Sequence, residues 1–196
     1  MRLVWPAAEH LASYVAALGR GWSSDNLRGA AAAREELDRI AADGAAFLAS
    51  LVDKEGTGSP ITLPDGSRVP RLPGYRRWMW DGDFCGSISF RWEKGTELLP
   101  SHCLGHIGYG VVPWKQRRGY ATRALAEVLL DAREYGLSYV ELTTSPGNIA
   151  SRRVIEANGG ICLEEFITPE SLGSKPELRY RIHLQPCDRC VAASGK

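Results

Sequence analysis

From His106 to Gly160 the sequence reads as a strand, a basic glycine turn, a helix, a second strand and a capped helix, and no other stretch narrows the fold as far. Its landmarks are His106-Ile107-Gly108-Tyr109-Gly110-Val111-Val112-Pro113, Gln116-Arg117-Arg118-Gly119-Tyr120-Ala121, Tyr139-Val140-Glu141-Leu142 and Asn148-Ile149-Ala150-Ser151. Pro113 has no N–H to give to a ladder, so strand pairing ends there. The turn after it gathers backbone N–H groups and two guanidinium groups at a helix start. Those N–H groups have no partner within the helix. Basic side chains at a helix N-terminus oppose the helix dipole, a misfit that a bound anion would remove. Such a turn suits a pyrophosphate. Neither a GxGxxG signature nor a Walker ending is present.

Gly108 and Gly110 interrupt a run of β-branched and aromatic residues. Glycine inside a strand marks a bulge or the close approach of a ligand, and here the two fit equally well. A strand splayed at its end leaves N–H and C=O groups that can pair with an amide-bearing ligand such as pantetheine.

The flanking patterns fill in a layered α/β protein. Residues 2–5 read as an edge strand. Leu11, Tyr14, Val15 and Leu18 follow at helical spacing, then Ala33 to Leu51 as a longer helix interrupted by Gly44. Asp53 to Gly74 is rich in Gly and Pro and reads as a connector, with a turn at Leu63-Pro64-Asp65-Gly66-Ser67. From Tyr75 the period becomes two: Tyr75 to Trp80, a turn at Asp81-Gly82-Asp83, then Ile88, Phe90 and Trp92 alternating with Ser87, Ser89 and Arg91. Ala121, Leu125, Val128, Leu129 and Ala132 give a helix ending near Gly136. Asn148 caps a short helix that stops at Gly159-Gly160. Ile161 to Phe166 and Leu178 to Leu184 close as a strand pair.

Composition bounds the function more loosely. With 196 residues, 44% of them hydrophobic, one domain with a full core is expected: residues 1–74 an N-terminal helical part and loop, 75–184 a core, 185–196 a tail. A net charge of +1 gives no bulk attraction to nucleic acid or membranes. Five scattered cysteines form no disulfide framework, and with no long apolar run a cytoplasmic protein is expected. Cys187-x-x-Cys190 lacks a second ligand pair, and His102, Cys103 and His106 lack an ordered carboxylate, so no metal is expected. The tryptophans at 78, 80, 92 and 114 among Arg76, Arg77 and Arg91 read as a packed face or a substrate wall rather than a nucleic-acid surface.

Gln116-Arg117-Arg118-Gly119-Tyr120-Ala121, behind a strand ending in Val-x-Pro, resembles the Q/R-x-x-G-x-G/A signature of the GNAT superfamily of N-acetyltransferases. Asn148-Ile149-Ala150-Ser151 with Glu156 and Asn158-Gly159 resembles the second acetyl-CoA motif of that family. The resemblance spans roughly residues 75–184. The Leu63-to-Val69 loop, Arg91, and the Gly105-to-Tyr109 and Asn158-to-Gly160 segments resemble a bacterial subgroup of predicted acetyltransferases. The resemblance implies a mixed, mostly antiparallel sheet splayed in the middle, with helices on both faces. It implies acetyl-CoA as co-substrate. Tyr109, Gly110 and Val111 would face the pantetheine, and Gln116, Arg117, Arg118, Gly119, Tyr120, Ala121 and Thr122 would wrap the pyrophosphate. Asn148 and Ser151 would meet the cofactor from the next strand–helix turn.

The expected reaction is acetyl transfer to an amine of a small molecule or a protein. A non-catalytic acyl-CoA sensor is the alternative, and a homodimer is compatible with the sequence. In the histone-acetylating branch of the family a glutamate base occupies the position of His106, and an imidazole can do that work. Glu141 and Glu97 stand behind it as candidates. The family's thiolate-protonating tyrosine is replaced by Ile155.

Overall fold

Alternating apolar residues and tight turns build two main antiparallel sheets and a separate two-stranded one in a computed structural model that describes residues 1–25, 28–63 and 65–184. The chain runs β1 (Arg2–Val4), α1 (Ala8–Gly19), α2 (Ala30–Ala42), α3 (Gly44–Ala49), β2 (Val52–Asp53), β3 (Ile61–Thr62), β4 (Arg68–Val69), β5 (Gly74–Trp80) and β6 (Phe84–Arg91). It continues through β7 (Ile107–Val111), α4 (Tyr120–Glu134), β8 (Tyr139–Thr144), α5 (Ile149–Glu156), β9 (Ile161–Ile167) and β10 (Pro176–His183). One sheet has the order β1-β5-β6-β7, with β2 also on β5. The second has the order β8-β10-β9. Cys187 and Cys190 of the expected tail, and Pro64 of the expected turn, lie outside the described residues.

β6 sends side chains into two layers, with a register shift against β5 at Met79/Trp80 putting Phe84 on the face opposite Ile88 and Phe90. Ile88 and Phe90 join a core with Leu125, Val128, Leu129 and Ala132 of α4, Val140 and Leu142 of β8, and Tyr180 of β10. On the other face Trp78, Phe84 and Val112 pack with Tyr14, Leu18, Trp22, Ala33 and Phe47 of the N-terminal helical region. Tyr14 stacks on Trp78 with centroids 4.5 Å apart, a contact worth about 0.5–1.5 kcal/mol beyond its buried area. Trp78 and Trp92 are thus packed, as their alternation predicts, while Trp114 stays at the surface under the guanidinium of Arg20.

Two local features differ from the pattern read in the sequence. The break in the second helix falls at Asp43, not Gly44. The Asp43 carboxylate accepts from the Ala46 N–H and caps α3, so a new helix begins rather than an old one kinking. The 53–74 connector is also more structured than its composition suggests. Asp53 accepts from the N–H groups of Gly56, Thr57 and Gly58, and β3 pairs with β4.

The expected splay lies between β7 and β8, which share no ladder. They are clasped at one end only. The His106 N–H donates to the Glu141 carbonyl at 2.8 Å, and the Glu141 N–H donates to His106 Nδ1 at 2.9 Å. Beyond this clasp the strands part, and the gap runs toward the starts of α4 and α5. Among the described residues no helix is long and apolar enough to cross a membrane.

Candidate active site

Register decides which groups of β7 face the gap. Val112 N–H donates to the Cys85 carbonyl, and Arg91 N–H donates to the His106 carbonyl. Hydrogen-bonded pairs alternate along an antiparallel ladder, so Gly110 opposite Ser87 and Gly108 opposite Ser89 also turn their main chain toward β6. Tyr109 and Val111 therefore turn their N–H and C=O toward the gap. Of the three residues expected to offer main-chain groups to the gap, these two are placed to do so, whereas the main chain of Gly110 faces β6. A Cβ there would stand 3.6 Å from the Trp22 ring, at the mouth of the strand. Close packing is most severe at Gly86, where a Cβ would come within 2.2 Å of the Gly110 carbonyl oxygen.

The basic turn is shaped by its backbone. After a 3-10 turn at Pro113–Lys115, Gln116 is extended, Arg117 has φ +59 and Gly119 has φ +70 as the N-cap of α4. A non-glycine residue in the left-handed region costs of order 1 kcal/mol, and such strain recurs at ligand clamps. Arg123 N–H makes the first helical bond, to Gly119, so the N–H groups of Gly119, Tyr120, Ala121 and Thr122 have no partner in the helix. Nothing stands within 4 Å of a Cβ at Gly119. The turn is open, and Arg117 and Arg118 are exposed beside it.

One residue that holds this turn was missed in the sequence. Asp81, in the hairpin between β5 and β6, accepts from Lys115 Nζ at 2.9 Å and from the Tyr120 hydroxyl at 2.6 Å, with Arg118 at 3.9 Å. The Tyr120 hydroxyl and then Lys115 hold its carboxyl well below the usual carboxylate range. Asp81 reads only as a turn residue in sequence, because its partners lie 34 and 39 residues away.

Across the gap, Asn148 caps α5 by accepting from the Ser151 N–H at 3.1 Å. The Tyr109 hydroxyl meets the Ser151 hydroxyl at 2.9 Å, so side chains expected to line one cofactor do converge. Burial pushes the Tyr109 phenol up to about 12. Asn158 donates to the Thr122 carbonyl and ties the end of α5 to the start of α4. Ile155, at the position of the family tyrosine, is fully buried in the core, and Gly160 packs against it.

The two residues expected to act on protons are engaged elsewhere. His106 is 1% exposed. Its Nδ1 accepts the Glu141 N–H, so the neutral ring carries its proton on Nε2, an atom with no hydrogen-bond partner. In this arrangement neither ring nitrogen offers a lone pair to an amine, and burial lowers the tendency of the ring to protonate. The Glu141 carboxylate is gripped by Arg179 at 3.1 Å and by Arg181 at 2.6 Å. Glu97 accepts from Ser138 at the surface, which holds its carboxyl low.

Comparison with known proteins agrees with this geometry. Residues 67–161 match the model of the acetyltransferase (GNAT) domain. The microcin C7 self-immunity acetyltransferase MccE, solved with acetyl-CoA and AMP, shares the fold at a TM-score of 0.60 and 12% identity, over 92% of this chain and 91% of its own. The Salmonella typhimurium acetyltransferase that modifies the N-terminal serine of ribosomal protein L7/L12 shares it at 0.59 and 12% identity, over 93% and 94%. A probable acetyltransferase does so at 0.58 and 16% identity, over 94% and 93%. No curated protein sequence matches the chain. The parted strands and the open, strained helix start both lie within residues 67–161, the part of the chain that matches the GNAT acetyltransferase domain.

Proposed function

We propose that the protein moves the acetyl group of acetyl-CoA to a primary amine, using the gap between β7 and β8 as its cofactor slot. The observation that carries this is the pairing of two features at the gap: main-chain groups of Tyr109 and Val111 turned away from β6, and an open N–H cradle at Gly119 to Thr122. Pantetheine amides would pair with the first, and the pyrophosphate would sit in the second, with Arg117 and Arg118 adding charge. The solved relative MccE holds acetyl-CoA, which supports the same use here.

The neutral amine attacks the thioester carbonyl, the new C–N bond forms, and the C–S bond breaks. A gap-facing N–H of β7 polarises the carbonyl oxygen. The amine proton leaves to water, since His106 and Glu141 are both occupied by the clasp and by arginines. The Tyr109–Ser151 hydroxyl pair donates a hydrogen bond to the departing sulfur in place of the missing tyrosine of α5, and the thiolate takes its proton from water. Burial raises the phenol's pKa, so Tyr109 stays protonated at neutral pH and keeps that hydrogen bond available. His106 acts by position: it fixes the closed end of the gap.

The test is release of free coenzyme A thiol from acetyl-CoA in the presence of a panel of primary amines. Acceptor-dependent release is expected. Saturable acetyl-CoA binding with no release for any amine would make the protein a binding module instead.

A further inference from the structure

Five half-buried arginines stand on the strands, and four have a carboxylate. Arg76 pairs with Glu36 at 3.0 Å and Arg77 with Asp131 at 3.3 Å. Arg179 and Arg181 share Glu141, with Arg179 also on Glu164. Arg91 is the exception. Among the described residues its guanidinium has no carboxylate within ion-pair distance and only one polar contact, Cys103 Sγ at 3.8 Å. A half-buried cation loses hydration, and pairing with an anion recovers it.

Its position on the sheet gives that observation a use. Alternation puts Ser87, Ser89 and Arg91 on the face of β6 opposite Ile88 and Phe90, and hence away from α4. On the neighbouring strand that face carries Gly108 and Gly110. A Cβ on Gly108 would stand 3.5 Å from Arg91 Nη2, so the guanidinium lies over the bare backbone of β7. The α4 face of β7 is filled by Ile107, Tyr109 and Val111 against the core. The Arg91 guanidinium, over Gly108, stands two residues, or roughly 7 Å, from Gly110 along the strand. Beside it a cavity of about 210 Å³ is bounded by Glu97, Leu98, Cys103, Glu141 and Arg179, where Glu141 is already neutralised by two arginines and Glu97 accepts from the Ser138 hydroxyl.

We infer that the acetyl acceptor is an amine that also carries a carboxylate or phosphate, and that Arg91 binds this anionic group over Gly108. The inference rests on the acetyltransferase reading above and names its substrate class. Cationic acceptors such as polyamines are disfavoured by the same free guanidinium. Both carboxylate and phosphate suit a guanidinium fork, so the chemistry is shared and the source is a matter for the assay.

The experiment compares kcat/KM for matched amines: α-amino acids against their amides, and phosphoethanolamine against ethanolamine. Each is measured with the wild-type protein, Arg91→Gln and Arg91→Lys. In the wild type at least one pair should favour the anionic member by about tenfold or more. The anionic-over-neutral ratio should fall close to one in Arg91→Gln and be partly kept in Arg91→Lys. Dividing the wild-type ratio by the variant ratio cancels differences in amine basicity. A purely structural Arg91 would lower both members of each pair together. Preference for neutral or polycationic amines, no turnover of any anionic one, or a ratio that survives Arg91→Gln would overturn the inference. Acetyl-CoA titration of the same wild-type sample separates the cases: if it binds, only the acceptor class is wrong; if it does not, the acetyltransferase reading fails first.

Discussion

His106 offers the sharpest contrast between a chemical and a positional role, and two substitutions separate them. His106→Ala removes the acceptor of the Glu141 N–H in a site that is 1% exposed. An orphaned buried donor costs about 1–3 kcal/mol, and the space left by the ring adds to it, for a total of about 2–4 kcal/mol. His106→Asn keeps an acceptor oxygen near the position of Nδ1 but cannot serve as a base. Its cost should be about 1–2 kcal/mol. The assay is denaturant unfolding beside kcat for acetyl transfer. On the positional account His106→Asn keeps kcat within about threefold, whereas loss of a general base would cost roughly 100-fold. The linkage has a definite sign. The folded pKa of His106 is lowered by burial, so its contribution to stability is full above the unfolded value of about 6.5 and falls as pH drops toward the folded value. The wild type should lose up to about 1.4 kcal/mol per pH unit in that window, and His106→Asn should not. A 100-fold fall in kcat for a folded His106→Asn, with loss of an acidic limb in the rate profile, would refute the positional role.

Asp81→Asn should loosen the basic turn. It weakens the charge-assisted bonds from Lys115 and Tyr120, worth about 1.5–3 kcal/mol for one such contact, and should raise the KM for acetyl-CoA about tenfold or more. Because the Asp81 pKa is depressed in the fold, its contribution is present above the unfolded value of about 3.9 and lost below it as the folded value is approached. Acid unfolding of Asp81→Asn should lack that component. Tyr109→Phe should lower kcat by about tenfold or more with little change in the KM for acetyl-CoA, because Ser151 alone would then face the thiolate. A change confined to unfolding stability would make the hydroxyl pair a packing feature.

How much of this was legible in the sequence depends on the range of each interaction. Local rules read well. Period two gave β5 and β6, Asn148 was identified as a cap, and the strand–turn–helix at Val111 to Thr122 stands where the landmarks put it. The Asp43 cap was missed because Gly44 next to it was the louder breaker, although an aspartate three residues before a free N–H is the standard capping geometry. Long-range pairings had no local signature. Nothing around Asp81 announces Lys115 and Tyr120, and nothing around His106 shows that Glu141 supplies an N–H rather than a carboxylate. The splay itself came from family resemblance, not from periodicity. The division of labour in β7, with Tyr109 and Val111 facing the gap and Gly110 facing β6, required the register of the ladder.

Calorimetric titration of acetyl-CoA into the wild type, Gly119→Ala and Gly119→Glu tests the cofactor slot most directly. Gly119 has φ +70, so any side chain there carries backbone strain, and alanine measures that cost alone. The space at its Cβ is open, so glutamate folds as alanine does but places a carboxylate in the N–H cradle. The wild type should bind saturably, Gly119→Ala should bind more weakly at most by about tenfold, and Gly119→Glu should show no binding. A folded Gly119→Glu that binds acetyl-CoA as tightly as the wild type would mean that the pyrophosphate lies elsewhere, and the slot between β7 and β8 would lose its anchor.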